Sequence, residues 1–111
     1  MTLRFGLKPE TIQKICGVLA QHAQVEQAIL YGSRAKGNYK NGSDIDLTLK
    51  GDANLTRQIL YKIMDELDDL LLPYTIDLSI LRDINDADVV DHIRRVGIIF
   101  YDKENALKET S

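Results

Sequence analysis

Residues 44–50, Asp-Ile-Asp-Leu-Thr-Leu-Lys (DIDLTLK), alternate polar and apolar without a break. Side chains along a strand point to opposite faces in turn. Ile45, Leu47 and Leu49 therefore share one face, and Asp44, Asp46 and Thr48 share the other. Residues 74–81 (YTIDLSIL) repeat the pattern, with Tyr74, Ile76, Leu78 and Ile80 opposing Thr75, Asp77 and Ser79. A strand buried on both sides would read as a near-continuous apolar run. The two stretches predict an α+β, two-layer domain, with helices on one face of the sheet. The other face is left open, and Asp44, Asp46 and Asp77 are placed to sit on it.

The neighbouring segments complete that layer. Ala28 to Tyr31 reads as a short strand ending at Gly32, and residues 33–43 as a polar loop with room for one helical turn. Pro9 suits the first turn of a helix carrying Ile12, Ile15, Cys16, Leu19 and Ala20 at helical spacing. Asn54 is placed to cap a helix over 54–71 bearing Leu55, Ile59, Leu60, Ile63, Met64, Leu67 and Leu71, which Pro73 ends. Asn85 or Asp86 caps a last helix with Val89, Val90, Ile93 and Val96 apolar and Gly97 at its end. Ile98 to Tyr101 is the fourth strand. The charged tail from Lys103 is expected to fray.

The 111 residues suit a single domain over 1–111, with its core about residues 10–101. Lys and Arg number 14 against 17 Asp and Glu, a net charge of −3. That balance, without a basic stripe or a row of stacking aromatics, argues against direct nucleic-acid binding. One cysteine, Cys16, cannot close an internal disulfide and fits a reducing compartment. No signal-like or membrane-spanning apolar run is visible, so a soluble, cytoplasmic protein without a membrane partner is expected.

Two carboxylates at i and i+2 on a strand project to one side, roughly 6–7 Å apart at the backbone. If the strands of Asp46 and Asp77 are neighbours, Asp77 joins them. Crowded carboxylates raise one another's pKa, and a hard divalent cation relieves them. Mg²⁺ fits, because it binds through one or two carboxylates and leaves positions for water and phosphate. Zinc suits the site poorly, with no His or Cys close in sequence. Gly32 lets backbone approach a ligand closely, and Ser33 adds a hydroxyl, which together suit phosphate. This is not a Walker loop, since Asn38-Tyr39 stands where Lys-Ser/Thr is required. A phosphate cradle beside clustered carboxylates suits in-line phosphoryl or nucleotidyl transfer. Elsewhere the plainer readings win. His22 and His92 have no partner spacing and are assigned to surface or cap positions. Asp65, Glu66, Asp68 and Asp69 are a solvated helix face, and Asp83, Asp86, Asp88 and Asp91 suit a helix N-terminus. Tyr39 is the one tyrosine the loop can offer to a base or a partner.

Gly32-Ser33, Ser43-Asp44-Ile45-Asp46-Leu47 and Asp77 resemble the signature of the polymerase-β-like nucleotidyltransferase superfamily. Gly-Ser-Arg-Ala-Lys-Gly (32–37) running into Ser-Asp-Ile-Asp (43–46) is similar to its minimal nucleotidyltransferase (MNT) branch; Lys36 stands where many relatives carry Arg. The resemblance implies a palm-like fold with a mixed sheet and the catalytic aspartates on its open face. It implies that Gly32 and Ser33 hold the β- and γ-phosphates of a nucleoside triphosphate, with ATP the expected one. Asp44 and Asp46 would bind two Mg²⁺ ions and the triphosphate. Asp77 would complete the metal site beside the acceptor hydroxyl and help deprotonate it. Arg34 and Lys36, from their place in the loop, are assigned to phosphate charge. Members of this branch pair with separately encoded helical HEPN proteins, so the implied reaction places AMP on a hydroxyl of a HEPN toxin within a hetero-oligomer. The alternative is an antitoxin that acts by occlusion, its site holding nucleotide with little catalysis. Polymerase-like transfer onto RNA or DNA stands third.

Overall fold

Pro9 opens helix α1, Pro9–Ala20, with its fixed φ at a position where no intrahelical N–H bond is lost. In the computed structural model, which describes residues 3–105, α1 buries Ile15 and Leu19, one helical turn apart. Helix α3, Arg57–Asp68, buries Ile63 and Leu67 at the same spacing. The two helices pack on each other, α1 reaching β4 and α3 reaching β3. Four strands lie beneath: β1 Val25–Tyr31, β2 Ile45–Gly51, β3 Ile76–Ile80 and β4 Ile98–Asp102. Their order is β3-β2-β1-β4. β1 pairs antiparallel with β2 and β4, while β2 and β3 run parallel. A parallel pair needs a crossover, and α3 supplies it.

Ala28 and Leu30 of β1, Ile45, Leu47 and Leu49 of β2, and Leu78 and Ile80 of β3 are all buried. Each leucine or isoleucine among them contributes about 1.5–3 kcal/mol relative to exposure. The five from β2 and β3 are apolar positions of the two alternating stretches, whose Tyr74 and Ile76 are half-buried, so the period-2 pattern and the layer agree. On the opposite face Tyr31, Asp46 and Asp77 fall in one row, since Tyr31 pairs with Asp46 and Asp46 with Asp77. In the next row Thr48 pairs with Ser79, and the Ser79 hydroxyl donates to the Thr48 hydroxyl at 2.9 Å. That bond satisfies Thr48, which is fully buried.

Helix α4, Ala87–Val96, packs against β1 and bounds this second face. Asp86 caps it, its carboxylate accepting from the Asp88 N–H at 2.9 Å. The remaining connections are a four-residue helix α2, Ser33–Lys36, and a 3₁₀ turn, Leu81–Asp83. Two boundaries differ from expectation. The cap of α3 is Thr56, whose side chain accepts from the Ile59 N–H, and not Asn54. Asn54 is held instead in a turn in which the Asp52 carboxylate accepts its N–H at 2.8 Å, so the helix starts later. At the other end Leu71 takes a left-handed φ of 55°, and α3 stops at Asp68 before Pro73 is reached. The expected fraying of the tail concerns residues 103–111, of which 106–111 lie outside the described residues. Lys103 itself donates to the Ala23 carbonyl at 3.0 Å. Among the described residues no helix is long and apolar enough to cross a membrane.

Candidate active site

Gly32 directly follows β1, at φ 76° and ψ −156°. Only glycine visits that region readily. A Cβ built there would lie 2.3 Å from Oδ2 of Asp46. The backbone therefore demands glycine at this position, and any larger residue would also push the Asp46 carboxylate aside. Gly32→Ala is expected to cost about 1–3 kcal/mol in backbone strain alone. The variant should melt earlier and also displace the Asp46 carboxylate. A Tm equal to that of the unsubstituted chain, measured by calorimetry, would contradict this account.

Asp46 and Asp77 occupy paired positions on adjacent parallel strands, so their backbones lie about 4.8 Å apart. Burial pushes the Asp46 carboxyl above the usual carboxylate range, and the charges of Asp77 and then Asp44 push it further. Asp44 and Asp77 are exposed, and Asp44 precedes β2. Among the described residues no three His, Cys, Asp or Glu side chains converge tightly enough to form a metal cage. The expected trio is thus a close pair, Asp46 and Asp77, with Asp44 beside it. The phenol of Tyr31, raised chiefly by burial, stands in the same row and bonds to Ser79.

Arg34 requires a correction. Expected to meet phosphate, it is instead 3% exposed, with its guanidinium turned into the protein. Nε and Nη2 donate to the Ser43 carbonyl at 3.1 and 2.8 Å, and Nη1 donates to the Phe5 carbonyl at 2.8 Å. The rings of Tyr39 and Tyr74 lie 5.2 and 5.0 Å from its central carbon. Arg34 therefore ties the loop that precedes Asp44 to the body of the domain. Lys36, at the end of α2, is exposed.

Two histidines also differ from their sequence assignments. His22 is buried, with Nε2 2.8 Å from a Glu66 oxygen, and joins the end of α1 to α3. His92, on α4, reaches the site: the Gly32 N–H donates to its Nε2 at 3.2 Å. Sixty residues separate the two in sequence. The available signal was weak, namely that position 92 falls with Val89 and Val96 at helical spacing, on the covered side of α4.

A family model described as polymerase beta, nucleotidyltransferase, matches residues 13–106. The chain belongs to the polymerase beta nucleotidyltransferase family. The fold of this nucleotidyltransferase is similar to that of a toxin–antitoxin crystallised with AMP-PNP, at 20% identity and TM-score 0.67, covering 86% of this chain and 76% of that one. The toxin–antitoxin MntA–HepT follows at 17% identity and TM-score 0.64, covering 89% and 76%. A tri-AMPylated HEPN toxin from Shewanella oneidensis in complex with its MNT antitoxin gives 17% and 0.63, with the same coverage. No curated protein matches the sequence. The mixed four-stranded sheet is thus the nucleotidyltransferase fold that its neighbours also adopt.

The donor set of this nucleotidyltransferase fits a hard divalent cation. Two neighbouring carboxylates, one with its pKa raised by burial and then by like charge, offer oxygen ligands and leave the remaining positions open. Mg²⁺ binds in that way, completing its shell with water and substrate phosphates and not with an all-protein cage.

Proposed function

We propose that this nucleotidyltransferase transfers AMP from ATP to a hydroxyl of a separately encoded HEPN-type protein, in a Mg²⁺-dependent reaction. The observation that carries the reading is the pairing of Asp46 with Asp77 beside the glycine-only turn at Gly32. The AMPylated toxin bound to an MNT antitoxin of the same fold supports the choice of acceptor.

Gly32 and Ser33 present backbone and hydroxyl groups to the β- and γ-phosphates, with Lys36 adding positive charge from the exposed end of α2. Arg34 has no part in this set; it holds the loop. Asp44, Asp46 and Asp77 would hold Mg²⁺, which would supply charge neutralisation at the phosphates. Asp77, exposed at the edge of the pair, accepts the proton of the acceptor hydroxyl. The acceptor oxygen bonds to the α-phosphorus, the bond from that phosphorus to the bridging oxygen breaks, and pyrophosphate leaves. The open part of the aspartate face is where an acceptor side chain arrives.

The test is label transfer. The protein, Mg²⁺ and ATP labelled in its α-phosphate are mixed with extract of the source cell, beside an Asp44→Asn/Asp46→Asn control. A labelled protein band that requires both aspartates is expected, and mass spectrometry then names the acceptor. A labelled nucleic-acid smear would replace the proposed acceptor class. Nucleotide binding without any label would favour neutralisation of the partner by occlusion.

A further inference from the structure

Gly32 is gripped from two sides. The Asp46 carboxylate occupies the space where a Cβ would stand, and His92 receives the N–H. A backbone N–H only donates, so Nε2 accepts and the ring proton sits on Nδ1. The imidazole is itself held. Its ring meets that of Tyr31 edge-on, with centroids 6.2 Å apart and planes at 78°, and the following residue, Ile93, is buried. Tyr31 is in turn bonded to Ser79. A glycine has more backbone conformations open to it than any other residue. The orientation of the peptide entering the Gly32-Ser33 turn is therefore set by contacts: His92 takes the Gly32 N–H, while the Gly32 carbonyl accepts from the Lys36 N–H at 3.1 Å.

We infer that His92 is a positioning residue of the phosphate cradle, its Nε2 lone pair holding the Gly32 peptide in the orientation that receives the triphosphate. The inference rests on the proposed function, in which Gly32-Ser33 meets phosphate. The role needs an acceptor at one point in space; it does not need an imidazole as such. His92→Gln keeps an acceptor, because the side-chain amide oxygen takes an N–H bond. His92→Phe keeps a planar ring and removes the acceptor.

Binding of AMP-PNP with Mg²⁺ is measured by calorimetry for the three proteins, and the Gly32 amide is followed by ¹⁵N NMR without nucleotide. In His92→Phe the Kd is expected to rise about 2- to 12-fold, the loss of one net hydrogen bond. In transfer assays KM should rise by the same factor while kcat changes less than about two-fold. His92→Gln should restore both to near the original values. In the unsubstituted protein Nε2 of His92 should resonate as an unprotonated nitrogen, and the Gly32 amide should shift in the Phe variant and return in the Gln variant. Unchanged or tighter binding in His92→Phe would overturn the inference. So would equal losses in both variants, which a purely packing role predicts. If the unsubstituted protein binds no nucleotide, the proposed function falls, while the Gly32 amide still reports whether His92 holds it: an amide unmoved in His92→Phe overturns that hold, and one that moves and is rescued by Gln supports it.

Discussion

Asp46→Asn is expected to lower nucleotidyl transfer on the order of 10³-fold and to raise the thermal stability of the metal-free protein. The first effect follows from the position of Asp46. It stands between Gly32 and Asp77, where it would help hold the cation of the proposed reaction. Metal-derived charge stabilisation amounts to several kcal/mol, which corresponds to such a factor in rate. The second effect has the opposite sign and the same origin. Burial, and then the charges of Asp77 and Asp44, hold the folded-state pKa of Asp46 above its unfolded value. A carboxyl shifted upward contributes stability that is fully present below the unfolded pKa and is lost as pH rises through the folded one. At neutral pH the ionised Asp46 therefore disfavours the fold, and an amide removes that cost. The Tm of Asp46→Asn should exceed that of the unsubstituted chain at pH 7, with EDTA present. The difference should close as pH falls below the ordinary carboxylate range. Equal Tm values across pH would mean that Asp46 is not electrostatically crowded. Loss of activity with a lowered Tm would mean that the substitution acts through misfolding.

Arg34→Ala is expected to cost about 3 kcal/mol or more, and Arg34→Lys most of that. The guanidinium satisfies two carbonyls that are far apart in sequence, those of Phe5 and Ser43, and lies between two tyrosine rings. Hydrogen bonds from charged donors contribute about 1.5–3 kcal/mol each, and the carbonyls left behind are penalised further. A lysine keeps the charge, but a single ammonium cannot reproduce a planar fork that reaches both carbonyls and stacks on the rings. Against a total stability of about 5–15 kcal/mol for a domain, the loss should be plain in a urea titration. Transfer should fall as well, because Ser43 immediately precedes Asp44 and the loop would no longer hold that carboxylate in place. A residue that touched phosphate would behave differently, with KM raised and the urea midpoint unchanged. That second pattern would restore Arg34 to the phosphate set.

Asp46 is placed by local pattern and Arg34 by tertiary contact. The alternation over 44–50 and 74–81 showed which side chains would face the packed helices, because the direction of a strand side chain depends only on its parity along the chain; it did not show that Thr48 on the other face is buried too. It placed the aspartates on the face opposite the packed leucines and isoleucines. The Gly-Ser and Asp-x-Asp spacing pointed to phosphate and metal chemistry, since glycine tolerance and carboxylate repulsion are properties of the residues themselves. Caps and ends were less legible. Thr56 and Asn54 can both cap a helix, and the choice fell to a turn closed by Asp52. The strand order β3-β2-β1-β4 and the register that sets Asp46 opposite Asp77 were decided only by folding, because pairing partners are fixed by packing over long separations. Arg34 illustrates the limit most clearly. A positive charge in a phosphate-like loop has one appearance in sequence, whether it faces solvent or is buried under two tyrosines. His92 is the same case seen from outside the motif. Its link to Gly32 spans sixty residues and depends on where α4 comes to rest, so only the tertiary structure could bring it to the site.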